Sequence, residues 1–121
     1  MGRNQARGGA ALALLATAGM ALAVHGWGTY DDTRGMALKG VIHTTVYEKP
    51  YLNLILDAEK PAPKTWTVVL GSPSKLESKG LAVKSLVPGT VVSVYVYPSR
   101  DVPDECRALR ITLNGKTTEL W

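Results

Sequence analysis

The chain has 121 residues, a net charge of +4, one cysteine and no phenylalanine. A single cysteine excludes an intrachain disulfide, so a small folded unit must rest on its apolar core. The modest charge, with no dense Lys/Arg stripe, excludes the electrostatic footprint of a nucleic-acid binder.

Residues 1–23 read as an export leader. Arg3 and Arg7 form a basic start, Gly9 to Leu22 form an uncharged small-residue and leucine core, and Ala21-Leu22-Ala23 matches the small-x-small cleavage pattern. The core is shorter than the ~20 apolar residues that span a bilayer, so no permanent membrane anchor is expected. Cleavage after Ala23 leaves 24–121 as one domain, periplasmic or secreted. The leader holds 2 of the 14 basic residues, so the mature balance is 12 − 10 = +2.

The mature chain opens on "VHGWGTYDD", an aromatic arm in which Asp31-Asp32 is expected to turn the chain before Met36. Residues 36–47 predict a long first strand, with Gly40 marking a bulge or sharp bend. After a Glu48-Lys49-Pro50 turn, residues 51–56 alternate: Leu52, Leu54 and Leu56 on one face, Tyr51, Asn53 and Ile55 on the other. Residues 57–64 read as a polar, proline-bearing loop. A third strand at 65–70 places Trp66, Val68 and Leu70 opposite Thr65, Thr67 and Val69.

The period then changes. Ser72 as N-cap, Pro73 in the first turn and Gly80 beyond the end predict a short helix over 73–79 with Leu76 inward, followed by a turn over 82–86. Residues 90–97 form the clearest strand, Val92, Val94 and Val96 against Val91, Ser93, Tyr95 and Tyr97. In 106–113, Leu109, Ile111 and Leu113 are expected to share a face. Asn114-Gly115 predicts a tight hairpin into the last residues. Three strands, a short helix and two returning strands describe a mainly β, OB-like barrel of five to six strands, with its helix between strands 3 and 4. One-sided alternation predicts that its outer face is solvated.

The segments "HGWGTYDD", "LKGVI", "YEKPYLNLIL", "WTVVLGSPSKLESKGLAVKSLVPGTVVSVYVYPSRD" and "RALRITLNGKTTEL", in that order and spacing, resemble the small exported bacterial proteins of domain-of-unknown-function family 6152. The resemblance covers essentially all of the mature chain and implies a fold and a compartment but no activity. Members often carry two adjacent histidines at the mature start, where this chain has Val24-His25. Their turn histidine and asparagine correspond to Tyr51 and Lys49. If those histidines bind a metal, this member has lost some of the ligands.

No catalytic constellation is present, and an enzyme is not expected. Ser99, Arg100, Asp101, Asp104 and Glu105 cluster in one loop without a histidine or a fixed carboxylate pair, and read as a solvated loop. Ser72 and Ser74 lack a nucleophile-elbow pattern. Cys106 reads as a small apolar residue, with Arg107 and Arg110 as weak grounds for a reactive thiol.

The expected function is a non-catalytic binding or interaction module. His25, Trp27 and Tyr30 on the arm, with Tyr47, Tyr51, Tyr95 and Tyr97 on the strands, form the candidate surface. On an OB barrel, tyrosines on neighbouring strands can stack a ligand, though tyrosines are also simply common on sheet faces. The partner is an unknown protein, peptide or saccharide of the cell envelope, and no cofactor is expected. The alternative is a low-affinity copper protein, in which the mature amine and His25 chelate Cu(II) and His43 or Met36 adds a donor.

Overall fold

The structure is a computed structural model and describes residues 27–120. The leader, Val24 and His25 lie outside the described residues. A 3-10 turn at Trp27–Thr29 leads into β1 (Met36–Glu48), β2 (Tyr51–Lys60), β3 (Lys64–Gly71), α1 (Pro73–Ser78), a second 3-10 turn (Val83–Ser85), β4 (Val91–Pro98), β5 (Glu105–Leu113) and β6 (Lys116–Glu119).

β1 pairs antiparallel with both β2 and β4, β2 with β3, and β4 with β5. The circle closes where Thr67–Val69 of β3 run parallel to Glu105–Arg107 of β5. The order β1-β2-β3-β5-β4-β1 is therefore a closed mixed barrel of five strands, with β6 added to the free side of β5. This is the OB-like architecture expected from the element order.

β1 serves both halves of the barrel because it bends. Its pairing with β2 shifts between Lys39 and Gly40 and again around His43. At Gly40 a Cβ would collide with the Asp57 carbonyl and lie 2.6 Å from the Ala58 Cα, so only glycine lets the two backbones approach. The interior is filled by Leu38, Ile42, Leu54, Leu56, Val68, Val92, Val96 and Ile111, all at 1% exposure or less. Helix α1 belongs to the same core through Leu76. It starts as its sequence dictates: the Ser72 hydroxyl accepts from the Lys75 amide at 3.3 Å, Pro73 follows, and Gly80 leaves the helix at φ +100°.

Three expectations are corrected. Residues 57–64 are not a loop. β2 continues to Lys60 and β3 begins at Lys64, because inward Ala58 pairs with Gly40 and Lys64, while Asp57 pairs with Thr65 and accepts its hydroxyl at 2.9 Å. Leu109 does not share the face of Ile111 and Leu113. Tyr95 pairs with Arg110 and Val96 with Ala108, so Leu109 is the extra residue of a β-bulge and Ala108 takes the inward place. The outer face is not uniformly solvated, for Val69 is wholly buried on it.

Candidate binding face

The arm is fixed before it reaches β1. Asp31 accepts from both the Thr33 amide (3.0 Å) and the Thr33 hydroxyl (2.6 Å), the turn its position predicts. These two bonds, with Arg100 and Arg34 nearby, hold its carboxyl below the ordinary carboxylate range. The Asp31 amide donates to the Pro98 carbonyl at 2.8 Å, and the Arg100 amide donates to the Thr29 carbonyl at 2.9 Å. Tyr30 sits between them at 2% exposure, and its hydroxyl donates to Glu105 Oε2 at 2.7 Å. Burial, and next the Glu105 carboxylate, push the phenol far above its usual range, so it remains a neutral donor. The loop acids are thus structural partners: Glu105 holds Tyr30, and Asp104 pairs with Lys64 at 2.9 Å.

Beyond this anchor, Trp27 lies on the outer face of β4 and β5. Strand register creates what it meets. Val46, Asn53, Val69, Arg107 and Tyr97 are successive cross-strand partners over five strands and so share one face. The Arg107 guanidinium lies 4.1 Å from the Trp27 ring centre and 5.3 Å from that of Tyr51. Tyr97 meets Trp27 edge-on, with centroids 6.3 Å apart and planes at 81°, and Tyr95 meets Tyr97 at 6.3 Å. Arg110 continues the pattern over Tyr95 at 5.2 Å. Cations and rings therefore alternate across β4 and β5, each contact strengthened where water is excluded. Arg107, at 8% exposure, is the buried centre of this arrangement.

A cleft of about 180 Å³ opens beside the arm. Trp27, Asp32, Tyr97 and Leu109 line it. The bulge that takes Leu109 out of the interior supplies the cleft's aliphatic wall.

The structure thus brings Trp27, Tyr30, Tyr51, Tyr95 and Tyr97 to one side of the barrel. Tyr47 does not join them: its register partner is the core residue Leu52, so it belongs to the opposite face of β1 and is 56% exposed at the barrel's end. His43 occupies a bulge of β1, and its Nδ1 lies 3.3 Å from Asp57 Oδ2. Met36 packs against the core. No group of three His, Cys, Asp or Glu side chains arranged to hold a metal occurs among the described residues. Cys106 is wholly buried on the inner face, where desolvation pushes its thiol well above the usual range, as suits a small apolar residue.

Sequence reasoning missed Arg107 and Leu109 as members of this face. Arg107 carried one usable signal, since it alternates with inward Cys106. Leu109 carried none, because its place depends on a bulge that its own neighbours do not announce.

Fold and site together define a small OB-like barrel protein with an aromatic arm latched to its outer wall. The chain belongs to the family of unknown function DUF6152, whose model matches residues 11–107. No curated protein and no solved structure matches it.

Proposed function

We propose that this chain is an exported, non-catalytic binding module whose ligand docks on the arm side of the barrel. The observation that supports this most is the Trp27–Tyr97 corner: two large rings, fixed by Arg107 and by the Tyr30 anchor, border an open cleft. Rigid aromatic surface costs little side-chain entropy on binding, which is why such groups dominate recognition sites. A protein, peptide or saccharide of the cell envelope is the partner class, after removal of the leader near Ala23. The copper alternative rests on Val24 and His25, which lie outside the described residues.

The test is a peptide and glycan array probed with the intact exported protein, beside its Trp27→Ala and Tyr97→Ala variants. Binding that both variants lose by about tenfold or more, with the melting transition kept, supports the proposal. Ligands held equally well by all three proteins, or none held by the parent, defeat it. Tyr95→Ala is expected to weaken binding less than Tyr97→Ala, since Tyr95 does not line the cleft. N-terminal sequencing of the product outside the cytoplasm tests the export step.

A further inference from the structure

We infer that the cleft is a binding site for an alkylammonium group; this rests on the proposed binding role and names its ligand chemistry. Three independent features converge. The first is the ring corner. Trp27 and Tyr97 meet edge-on at 81° and both line the cleft, and the electron-rich face of an aromatic ring attracts cations within about 6 Å. The second is Asp32. It is exposed at the cleft, and its carboxylate makes no hydrogen bond or ion pair with any described residue, whereas its neighbour Asp31 is committed to Thr33. The third is Leu109, brought by the bulge to the side where the methyl or methylene groups of such a cation need an apolar wall.

The Trp27 ring already stacks on a cation in this fold, since the Arg107 guanidinium lies 4.1 Å from its centre. Arg107 is not among the residues that line the cleft, and the charged side chain that does line it is Asp32. The volume of about 180 Å³ admits one ammonium head with its substituents. Two rings, one carboxylate and one aliphatic wall form an open-sided cage for R–NH₃⁺ or R–N(CH₃)₃⁺.

The experiment follows the indole Nε1–H resonance of Trp27 in the intact protein during titrations, with Trp27→Phe assigning it among the chain's three tryptophans. Choline is the quaternary probe, Nα-acetyl-lysine methylamide the peptide probe, and 3,3-dimethyl-1-butanol the neutral isostere of choline. Saturable shifts are expected with a cationic probe, with the neutral isostere at least about tenfold weaker. The tighter of the two cationic probes tells whether a small quaternary ammonium or a lysine side chain is the preferred source. Asp32→Asn, which changes a side chain with no partner among the described residues, is expected to raise the dissociation constant about five- to tenfold, and added salt should weaken binding in the parent but not in the variant. Equal affinity for choline and its neutral isostere, an unchanged constant in Asp32→Asn, or no shift with either cation overturns the ammonium assignment. If the array ligands still depend on Trp27 and Tyr97 in that case, the binding role stands and only its ligand chemistry falls. If they do not, both fall.

Discussion

The two faces of β5 are built by different rules. Inward, Cys106, Ala108, Ile111 and Leu113 make a plain apolar row in a core to which every other barrel strand also contributes. Outward, Arg107 and Arg110 lie among aromatic rings from β4, β2 and the arm, and Leu109 reaches the outer side only through a bulge. The inner face needs nothing but burial, which is non-directional and tolerant of exchange among similar side chains. The outer face needs register, because one residue of slip in the β4–β5 pairing would separate Tyr97 from Arg107. The first rule makes a barrel, and the second makes a surface particular to this chain.

The largest effect expected of a single change falls on the inner rule. Gly40→Ala places a Cβ against backbone atoms of Asp57 and Ala58, which cannot rotate away. A loss of about 3 kcal/mol is expected, at the upper end of overpacking costs, or a fall in Tm of more than about 12 °C for a domain of this size. Leu76→Ala, which empties a fully buried site under α1, should cost a comparable 2–4 kcal/mol, roughly. A Gly40→Ala protein that melts with the parent would show that β1 and β2 do not approach as closely as described.

The difference between the faces also explains what could be read from the sequence. Alternation in 52–56, 66–70 and 92–96 is a local signal, and each of those inward sets is buried as expected. Ser72-Pro73 and Gly80 bracket α1 because capping chemistry is also local. The second half of β2 was hidden, since Asp57, Glu59, Lys60 and Pro61 look like a loop until Ala58 is seen opposite Gly40. Trp27 and Tyr97 could be named as aromatic candidates, yet their meeting point at Arg107 joins segments 70 or more residues apart in the chain. Tyr47 looked like its fellow tyrosines, but the bulge at His43 turns it to the other side. Pairwise register and bulges are tertiary facts, and a pattern of period two cannot supply them.

The two faces can be compared within one experiment by raising the pH. Cys106 on the inner face and Tyr30 against the outer one both have their pKa raised in the fold, chiefly by burial. For a raised folded pKa, the stabilising contribution is complete below the unfolded value and is lost as pH climbs towards the folded one. The unfolded values are about 8.5 for cysteine and about 10 for tyrosine. Stability should therefore begin to fall near pH 9 and fall faster above pH 10, each group adding a slope of about 1.4 kcal/mol per pH unit. Cys106→Ala should remove the first limb and Tyr30→Phe the second, so urea melts between pH 8 and 11 separate them. At pH 7, Tyr30→Phe should itself cost about 1–2 kcal/mol through the lost bond to Glu105. At the acid end, Asp31 has the opposite sign. Its depressed pKa adds stability above the unfolded value of about 3.9, lost as pH falls through the folded one, and Asp31→Asn should flatten that limb.

Trp27→Ala probes the outer rule with less force. Trp27 is half-buried and stands outside the barrel, so the loss should stay near 1 kcal/mol, the scale of a partly exposed cation–π and edge-on ring contact. A loss above about 3 kcal/mol would mean that the arm is part of the folding core and not a surface laid upon it.

The smallest effect, and the one whose sign matters most, belongs to Asn53. It is 2% exposed on the Val46–Asn53–Val69–Arg107 row. Its Nδ2 donates to Glu48 Oε1 at 3.0 Å, but its Oδ1 has no hydrogen-bond partner. A buried acceptor left unsatisfied costs about 1–3 kcal/mol, while one hydrogen bond to a carboxylate returns a similar amount. Asn53→Leu removes both at nearly constant shape, and Glu48, which is exposed, regains water. The net change should therefore lie between zero and about 1 kcal/mol of added stability. If the outer face instead obeyed the inner rule, with burial alone deciding, leucine would be plainly better and the gain would exceed 1 kcal/mol, roughly. A loss of that size would show that the Asn53 carbonyl is satisfied in solution, most simply by an ordered water held between β2 and β3.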